Sequence, residues 1–201
     1  MIAVRRLSSA EIRRYRDDLA ALRIEVFRDW PYLYDGDLDY ERRYLETYLQ
    51  ASGAVVIGAF DGANLVGAAT AAPLVEHEEA FAAPLAAAGF DPGSIFYFGE
   101  SVLRARYRGQ GIGVAFFEQR ERAAREAGYA TCLFSAVVRP TDHSARPKDH
   151  VPLDGFWTKR GYSRLEGATT RYAWRDVGDT VETDKPMEYW IRHLPEIGRH
   201  C

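Results

Sequence analysis

Arg108-Gly109-Gln110-Gly111-Ile112-Gly113 stands between an apolar, strand-like run ending near Leu103 and a helix-like segment from about Gly111 to Ala127. A strand, a glycine-dense turn and a helix N-terminus together make an anion site. The first helical N–H groups have no internal acceptor, the helix dipole is positive at that end, and glycine lets the backbone come close. A diphosphate fits such a site, and the spacing narrows which one. A P-loop needs a Gly-Lys pair followed by Ser or Thr, and no such lysine is present; a dinucleotide fingerprint needs Gly or Ala three positions after Gly111, where Val114 stands. A second chemical grouping is Asp29-Trp30-Pro31-Tyr32-Leu33-Tyr34-Asp35-Gly36-Asp37. Its aromatic faces at Trp30, Tyr32 and Tyr34, set among carboxylates, suit a cationic or aromatic amine; the same rings could instead fold onto the core and leave the acids in water. His143 and His150, each preceded by Asp, lie in the stretch Arg139 to Val151. Two histidines without further converging ligands are not a metal spacing, so this stretch reads as a lid or a surface loop.

The Arg-x-x-Gly-x-Gly pattern resembles the acyl-CoA diphosphate loop of the GNAT superfamily of N-acetyltransferases. Phe156-Trp157-Thr158-Lys159-Arg160-Gly161-Tyr162 is similar to that family's aromatic-aromatic-x-x-x-Gly-aromatic signature, which closes its last helix and enters the next strand. The two motifs stand in family order, and the resemblance covers about Ile95 to Trp174, with a separation widened by Arg139 to Leu153. It implies acetyl-CoA (acyl-CoA) as co-substrate; from the ligand spacing above, no metal is expected. The cofactor would be held on Arg108, Gly109, Gln110, Gly111, Ile112 and Gly113, with Ser101, Val102 and Leu103 contacting the acetyl and pantetheine groups.

The resemblance also implies that Glu100 is the catalytic base. An alkylammonium has a pKa of about 10.4 in water and must lose its proton before it attacks. The other reading of Glu100 is that it orients the amine or pairs with an arginine such as Arg104. The implied reaction is transfer of an acetyl group to a primary amine by direct attack in a ternary complex. The matched motifs contain no acyl-enzyme nucleophile, and Cys132 lies in a buried strand pattern. In one place the chain departs from the family: Trp157 stands where many relatives have a tyrosine that protonates the leaving thiolate, and an indole cannot do so. With a thiol pKa of about 8.5, a CoA thiolate leaves without great difficulty and solvent can protonate it. Trp157 would then pack against the pantetheine arm or close the core. The departure keeps a second class open, a non-catalytic acyl-CoA-binding sensor or partner subunit.

The elements that must position these residues follow from the pattern of the chain. Its 201 residues, 47% apolar, suit a single domain over 1–201. Ile2 to Arg6 is a strand, and Ser8 or Ser9 caps a helix carrying Ile12, Tyr15, Leu19, Leu22, Val26 and Phe27 on one face. A second helix follows, with Tyr40, Tyr44, Leu45, Tyr48 and Leu49 on one side. Ala54 to Phe60 and Leu65 to Ala71 form a hairpin about Asp61-Gly62-Ala63-Asn64, and Val75 to Ala88 is an inserted helix. Ile95 to Leu103, the helix to Ala127, and Ala130 to Val138 make a strand-helix-strand unit. A strand near Thr170 to Arg175, a polar turn from Asp176 to Lys185 and a strand from Met187 to His193 finish the pattern. With the resemblance, this order implies an α/β (α+β), GNAT-like, mostly antiparallel twisted sheet of six to seven strands flanked by helices, with a central parallel pair that splays to admit the pantetheine arm.

A formal charge of −3, from 26 basic and 29 acidic residues, provides no electrostatic footprint for nucleic acid or an anionic membrane. Arg5-Arg6 and the polar helix pattern after it contain no signal or membrane span, and Cys132 and Cys201 form no disulfide framework, which together fit a cytoplasmic protein. The expected partner is the amine, on a small molecule or a protein, and exposed paired aromatics are compatible with a homodimer.

Overall fold

The computed structural model describes residues 2–195, so Cys201 lies outside the described residues. In chain order the strands and helices are β1 (Ala3–Arg6), α1 (Ser9–Arg14), α2 (Arg16–Phe27), α3 (Leu38–Gln50), β2 (Val55–Asp61), β3 (Asn64–Pro73), α4 (Glu79–Ala87), β4 (Ile95–Leu103), α5 (Ile112–Glu126), β5 (Thr131–Val137), α6 (Asp154–Lys159), β6 (Ser163–Trp174) and β7 (Thr183–His193). Seven strands form one sheet in the order β1-β2-β3-β4-β5-β7-β6. Only β4 and β5 run parallel; the other neighbours are antiparallel.

Four expectations shift at the level of elements, the simplest being that the strand expected near Thr170 to Arg175 already begins at Ser163, where its first residues pair with β7 at Ile191 and Trp190. The first helix divides at Tyr15 (φ −96°, ψ 11°), whose ring packs on Phe60. This turns α2 so that Leu19, Ala20 and Leu22 are buried with Leu45 and Tyr48 of α3 against β2 and β3. The inserted helix begins at Glu79 rather than Val75, after a single 3-10 turn over Leu74–Glu76. The expected polar turn through Lys185 is strand from Thr183 onward, because the buried Lys185 ammonium donates to the carbonyls of Trp174 and Thr183, both at 2.8 Å, and pairs with Asp176 at 3.3 Å. Satisfied in this way, a lysine is no obstacle to a strand.

Helices cover both faces of the sheet. α2, α3 and α4 lie on one face, where Leu85 of α4 packs with Tyr97, Leu133 and Tyr189. On the other, Ile112 and Phe116 of α5 pack under β2 and β3, while Phe117 joins Phe96, Phe98, Phe134 and Trp190. Burial of this kind is the main stabilising term, about 1.5–3 kcal/mol for each large apolar side chain.

Two irregularities in β4 define the centre of the molecule. β4 and β5 pair only over Ile95↔Thr131, Phe96↔Cys132 and Tyr97↔Leu133, and beyond that the edge of β4 is open. On its other edge the register with β3 slips, from Ala71↔Phe98 to Ala69↔Ser101, which is a β-bulge at Gly99-Glu100. The extra residue resets the alternation of side chains. Phe96, Phe98 and Leu103 face α5, whereas Tyr97, Glu100 and Val102 face the α2–α4 layer.

Candidate active site

The bulge places Glu100 in the wall of a cavity of about 720 Å³ between α2, α3, the segment around His77, β4 and β6. Gly99 makes this possible, since a side chain there would collide with the Tyr48 hydroxyl and come within 2.7 Å of Thr70 Oγ1. Those two groups hold the bulge from the cavity side. The Glu100 N–H donates to Thr70 Oγ1 at 3.3 Å, and the Thr70 hydroxyl donates to Tyr48 Oη at 3.0 Å.

The Glu100 carboxylate is held at both oxygens. Oε1 is ion-paired with Arg23 of α2, and Oε2 accepts from the Tyr44 hydroxyl of α3 at 2.9 Å. Arg23 also pairs with Glu41, which is fully buried, and stacks over the Tyr44 ring at 4.1 Å. Burial alone would lower the Arg23 guanidinium, but the charges of Glu100, Tyr44 and Glu41 outweigh it and raise its pKa. Burial and the Glu100 charge likewise push the Tyr44 phenol well above its ordinary value, so it remains a donor. Two carboxylates share one guanidinium, so the cluster has a formal charge of about −1 at the cavity wall. The arginine expected as Glu100's alternative partner is Arg23 and not Arg104, which instead holds Glu25 at 3.0 Å and the Leu65 carbonyl at 3.2 Å.

Of the three aromatics expected at the acceptor site, Tyr32 and Tyr34 line the cavity. Burial and the neighbouring Glu100 carboxylate push the Tyr32 phenol up to about 12. Trp30 is off the cavity wall and packs against His143 at 5.2 Å and His150 at 5.8 Å, fixing the loop that carries them. Arg139 anchors the start of that loop by donating to the carbonyls of Pro31 and Tyr32 and pairing with Asp176. Among the described residues no cluster of three metal-capable side chains occurs.

Sequence reasoning missed four side chains here: Arg23, Glu41, Tyr44 and His77. The last belongs to the insertion and packs edge-on to Tyr97 at 4.8 Å. Burial lowers its pKa to about 4, so the imidazole is neutral at pH 7. Its only sequence signal was position within the insertion.

On the opposite face, Gly109 and Gly111 adopt φ of +77° and +81°, a region that strains any residue with a Cβ. The amides of Gly109 to Val114 have no protein acceptor among the described residues, the first helical bond being Ala115 N–H to the Gly111 carbonyl at 3.1 Å. Arg108 differs from its neighbours, because its N–H is already donated to the Ala105 carbonyl at 3.1 Å. The open edge of β4 supplies further groups. Arg104 N–H donates to the Val66 carbonyl, so in the antiparallel alternation Val102 also bonds β3, while Ser101 and Leu103 turn their N–H and C=O groups towards the β4–β5 gap. Of the three expected strand contacts, two therefore face the gap and Val102 faces β3. Trp157 packs against Phe134 at 5.1 Å and Trp190 at 5.0 Å, a role in closing the core. Burial pushes the Cys132 thiol up to about 12, which leaves it inert at neutral pH.

The site is thus two half-sites joined by a gap. Backbone donors line one side, and a cavity with a negative wall lies on the other. The model of the acetyltransferase (GNAT) family matches residues 19–147. The fold is similar to that of the Brucella melitensis ribosomal-protein-alanine N-acetyltransferase, at 16% identity and TM-score 0.62, covering 96% of this chain and 99% of that one. It is also similar to Salmonella typhimurium yncA with acetyl-CoA, at 12% identity and TM-score 0.60, covering 100% and 99%. An aminoglycoside 6'-N-acetyltransferase complexed with coenzyme A matches at 16% identity and TM-score 0.62, over 96% and 98%. A sequence search of curated proteins finds no match.

Proposed function

The chain belongs to the GNAT acetyltransferase family, and from that premise we propose that it transfers an acetyl group from acetyl-CoA to a primary amine by direct attack in a ternary complex. The observation that carries the reading is the meeting of the two half-sites at the bulge. Acetyl-CoA would lay its diphosphate on the amides from Gly109 to Gly113 and its pantetheine along the β4 edge at Ser101 and Leu103, bringing the thioester to the gap. That two proteins of similar fold are described with acetyl-CoA or coenzyme A bound supports the choice of co-substrate.

The acceptor enters from the cavity. Seven carboxylates and three arginines line it, together with aromatic rings, a balance that favours a cationic amine. Glu100 receives the ammonium proton directly or through one water. Each carboxylate oxygen keeps a lone-pair direction beyond the bond to Arg23 or Tyr44. The neutral amine attacks the carbonyl, whose developing negative charge is met by backbone N–H groups at the gap. The tetrahedral intermediate then collapses as the C–S bond breaks; the nitrogen gives up its second proton to water, and solvent supplies the proton that the departing CoA thiolate takes up.

Release of CoA thiol, followed over a panel of small amines and amine-bearing peptides, tests the reading. Amine-dependent release that Glu100→Gln abolishes supports it. The core position of Trp157 favours one rival, an acyl-CoA sensor without turnover. No release across the panel, with acetyl-CoA still bound, would establish that rival instead.

A further inference from the structure

Arg120 of α5 is 2% exposed, the largest of the fully buried side chains, and has no carboxylate within salt-bridge distance among the described residues. Its neighbour Glu121 is occupied by Arg192 at 2.7 Å and the Tyr162 hydroxyl at 3.1 Å. The Arg120 guanidinium donates instead to three backbone carbonyls: Phe116 at 3.2 Å, Thr70 at 3.4 Å and Glu100 at 3.1 Å. Thr70 stands opposite the bulged pair Gly99-Glu100, where the β3–β4 register is interrupted, so one side chain donates to a carbonyl on each strand at the bulge. The guanidinium lies over Phe98 at 4.3 Å and Phe117 at 5.0 Å, closing it off from water.

The consequence lies in the geometry of one peptide plane. C=O of Glu100 and N–H of Ser101 belong to the same planar unit and point in opposite directions. A carbonyl fixed on Arg120 therefore aims the Ser101 N–H into the β4–β5 gap. A neutral amide side chain could satisfy carbonyls, whereas an unpaired buried cation carries a desolvation cost. In return it supplies a positive field beneath the peptide. Burial brings the Arg120 pKa down to about 10, which leaves it charged at neutral pH.

We propose that Arg120 is the positioning residue for the acyl thioester, locking the Glu100–Ser101 peptide so that the Ser101 N–H polarises the thioester carbonyl. The inference rests on the acetyl-CoA reading above and can fail separately from it. It is tested without knowledge of the acceptor, by infrared difference spectroscopy of acetyl-CoA labelled with carbon-13 at the thioester carbonyl. Bound to the wild-type protein, the carbonyl band is expected to move to lower frequency than in water. In Arg120→Met most of that shift is lost, while CoA itself, which lacks the acetyl group, binds within about threefold of wild type because the glycine loop is untouched. Should Arg120→Met fail to fold, Arg120→Lys carries the test. It keeps the charge, but its ammonium ends one bond short of the Arg120 nitrogen that donates to both carbonyls, and its shift is expected to be intermediate. A wild-type shift in the variant that folds, or bound acetyl-CoA with no shift in the wild type, overturns the proposal. Failure of the wild type to bind acetyl-CoA at all removes the parent reading, and this inference with it.

Discussion

The two halves of the site are built from different materials. On the α5 side the contacts belong to the backbone: two glycines at positive φ, the unpaired amides that open a helix, and the free edge of a strand. On the α2–α3 side they belong to side chains from distant parts of the sequence, with Arg23, Glu41, Tyr44 and Glu100 brought together on three elements. A backbone site depends on conformation and tolerates changes of side chain away from its glycines. A buried charge cluster depends on every member, because removing one leaves another desolvated and unpaired. The halves should therefore break in different ways.

The largest effect is expected at Arg23. Arg23→Met strands Glu41 and Glu100 without their shared cation, and a loss of about 3–5 kcal/mol in unfolding free energy is expected from urea denaturation. Next comes Glu100→Gln, nearly isosteric and neutral. It is expected to lower kcat for amine acetylation by about 100-fold or more while leaving acetyl-CoA affinity unchanged, which steady-state kinetics alongside calorimetric titration would show. Gly111→Val attacks the other half. Forcing a β-branched residue to φ +81° costs about 1–2 kcal/mol and shifts the amides, so the dissociation constant for acetyl-CoA should rise about tenfold or more with little change in kcat at saturation.

The smallest effect is expected at His77. Its folded pKa of about 4 lies below the unfolded value of about 6.5, so the unfolded chain binds the proton more tightly. The stability it contributes is present above pH 6.5 and is lost as pH falls towards 4, by about 1.4 kcal/mol at pH 5.5. His77→Gln should flatten the pH dependence of the melting temperature over that window.

The same contrast explains what the sequence reveals and what it hides. Gly109, Gly111 and the helix that follows are contiguous, so their chemistry can be read from a dozen residues. Glu100 could be placed on its strand, and the order of β4, α5 and β5 followed from apolar runs and glycines. The bulge could not be read, because strict alternation would send Glu100 to the α5 face; the insertion of one residue that reverses this depends on Thr70, Tyr48 and Arg120 from other elements. Nothing in the sequence sets Arg23 and Glu41 apart from the other charges of their helices, since each carries its polar end into the interior only after α2 and α3 pack together. Trp30 was misleading for the opposite reason. It lies in a run whose tyrosines reach the cavity, yet its ring is taken by histidines more than a hundred residues away.

The central claim is that co-substrate and acceptor are held by independent half-sites that touch only at the bulge. Its most direct test is a thermal-shift titration of the wild type, Glu100→Gln and Gly111→Val with CoA, acetyl-CoA, NAD and ATP. Ligand at about 100 times its dissociation constant adds roughly 2.7 kcal/mol of stability. Both CoA species should stabilise the wild type and Glu100→Gln equally and Gly111→Val far less, with NAD and ATP inactive on all three. Equal loss in Glu100→Gln and Gly111→Val, or stabilisation by NAD or ATP matching that of CoA, would contradict it.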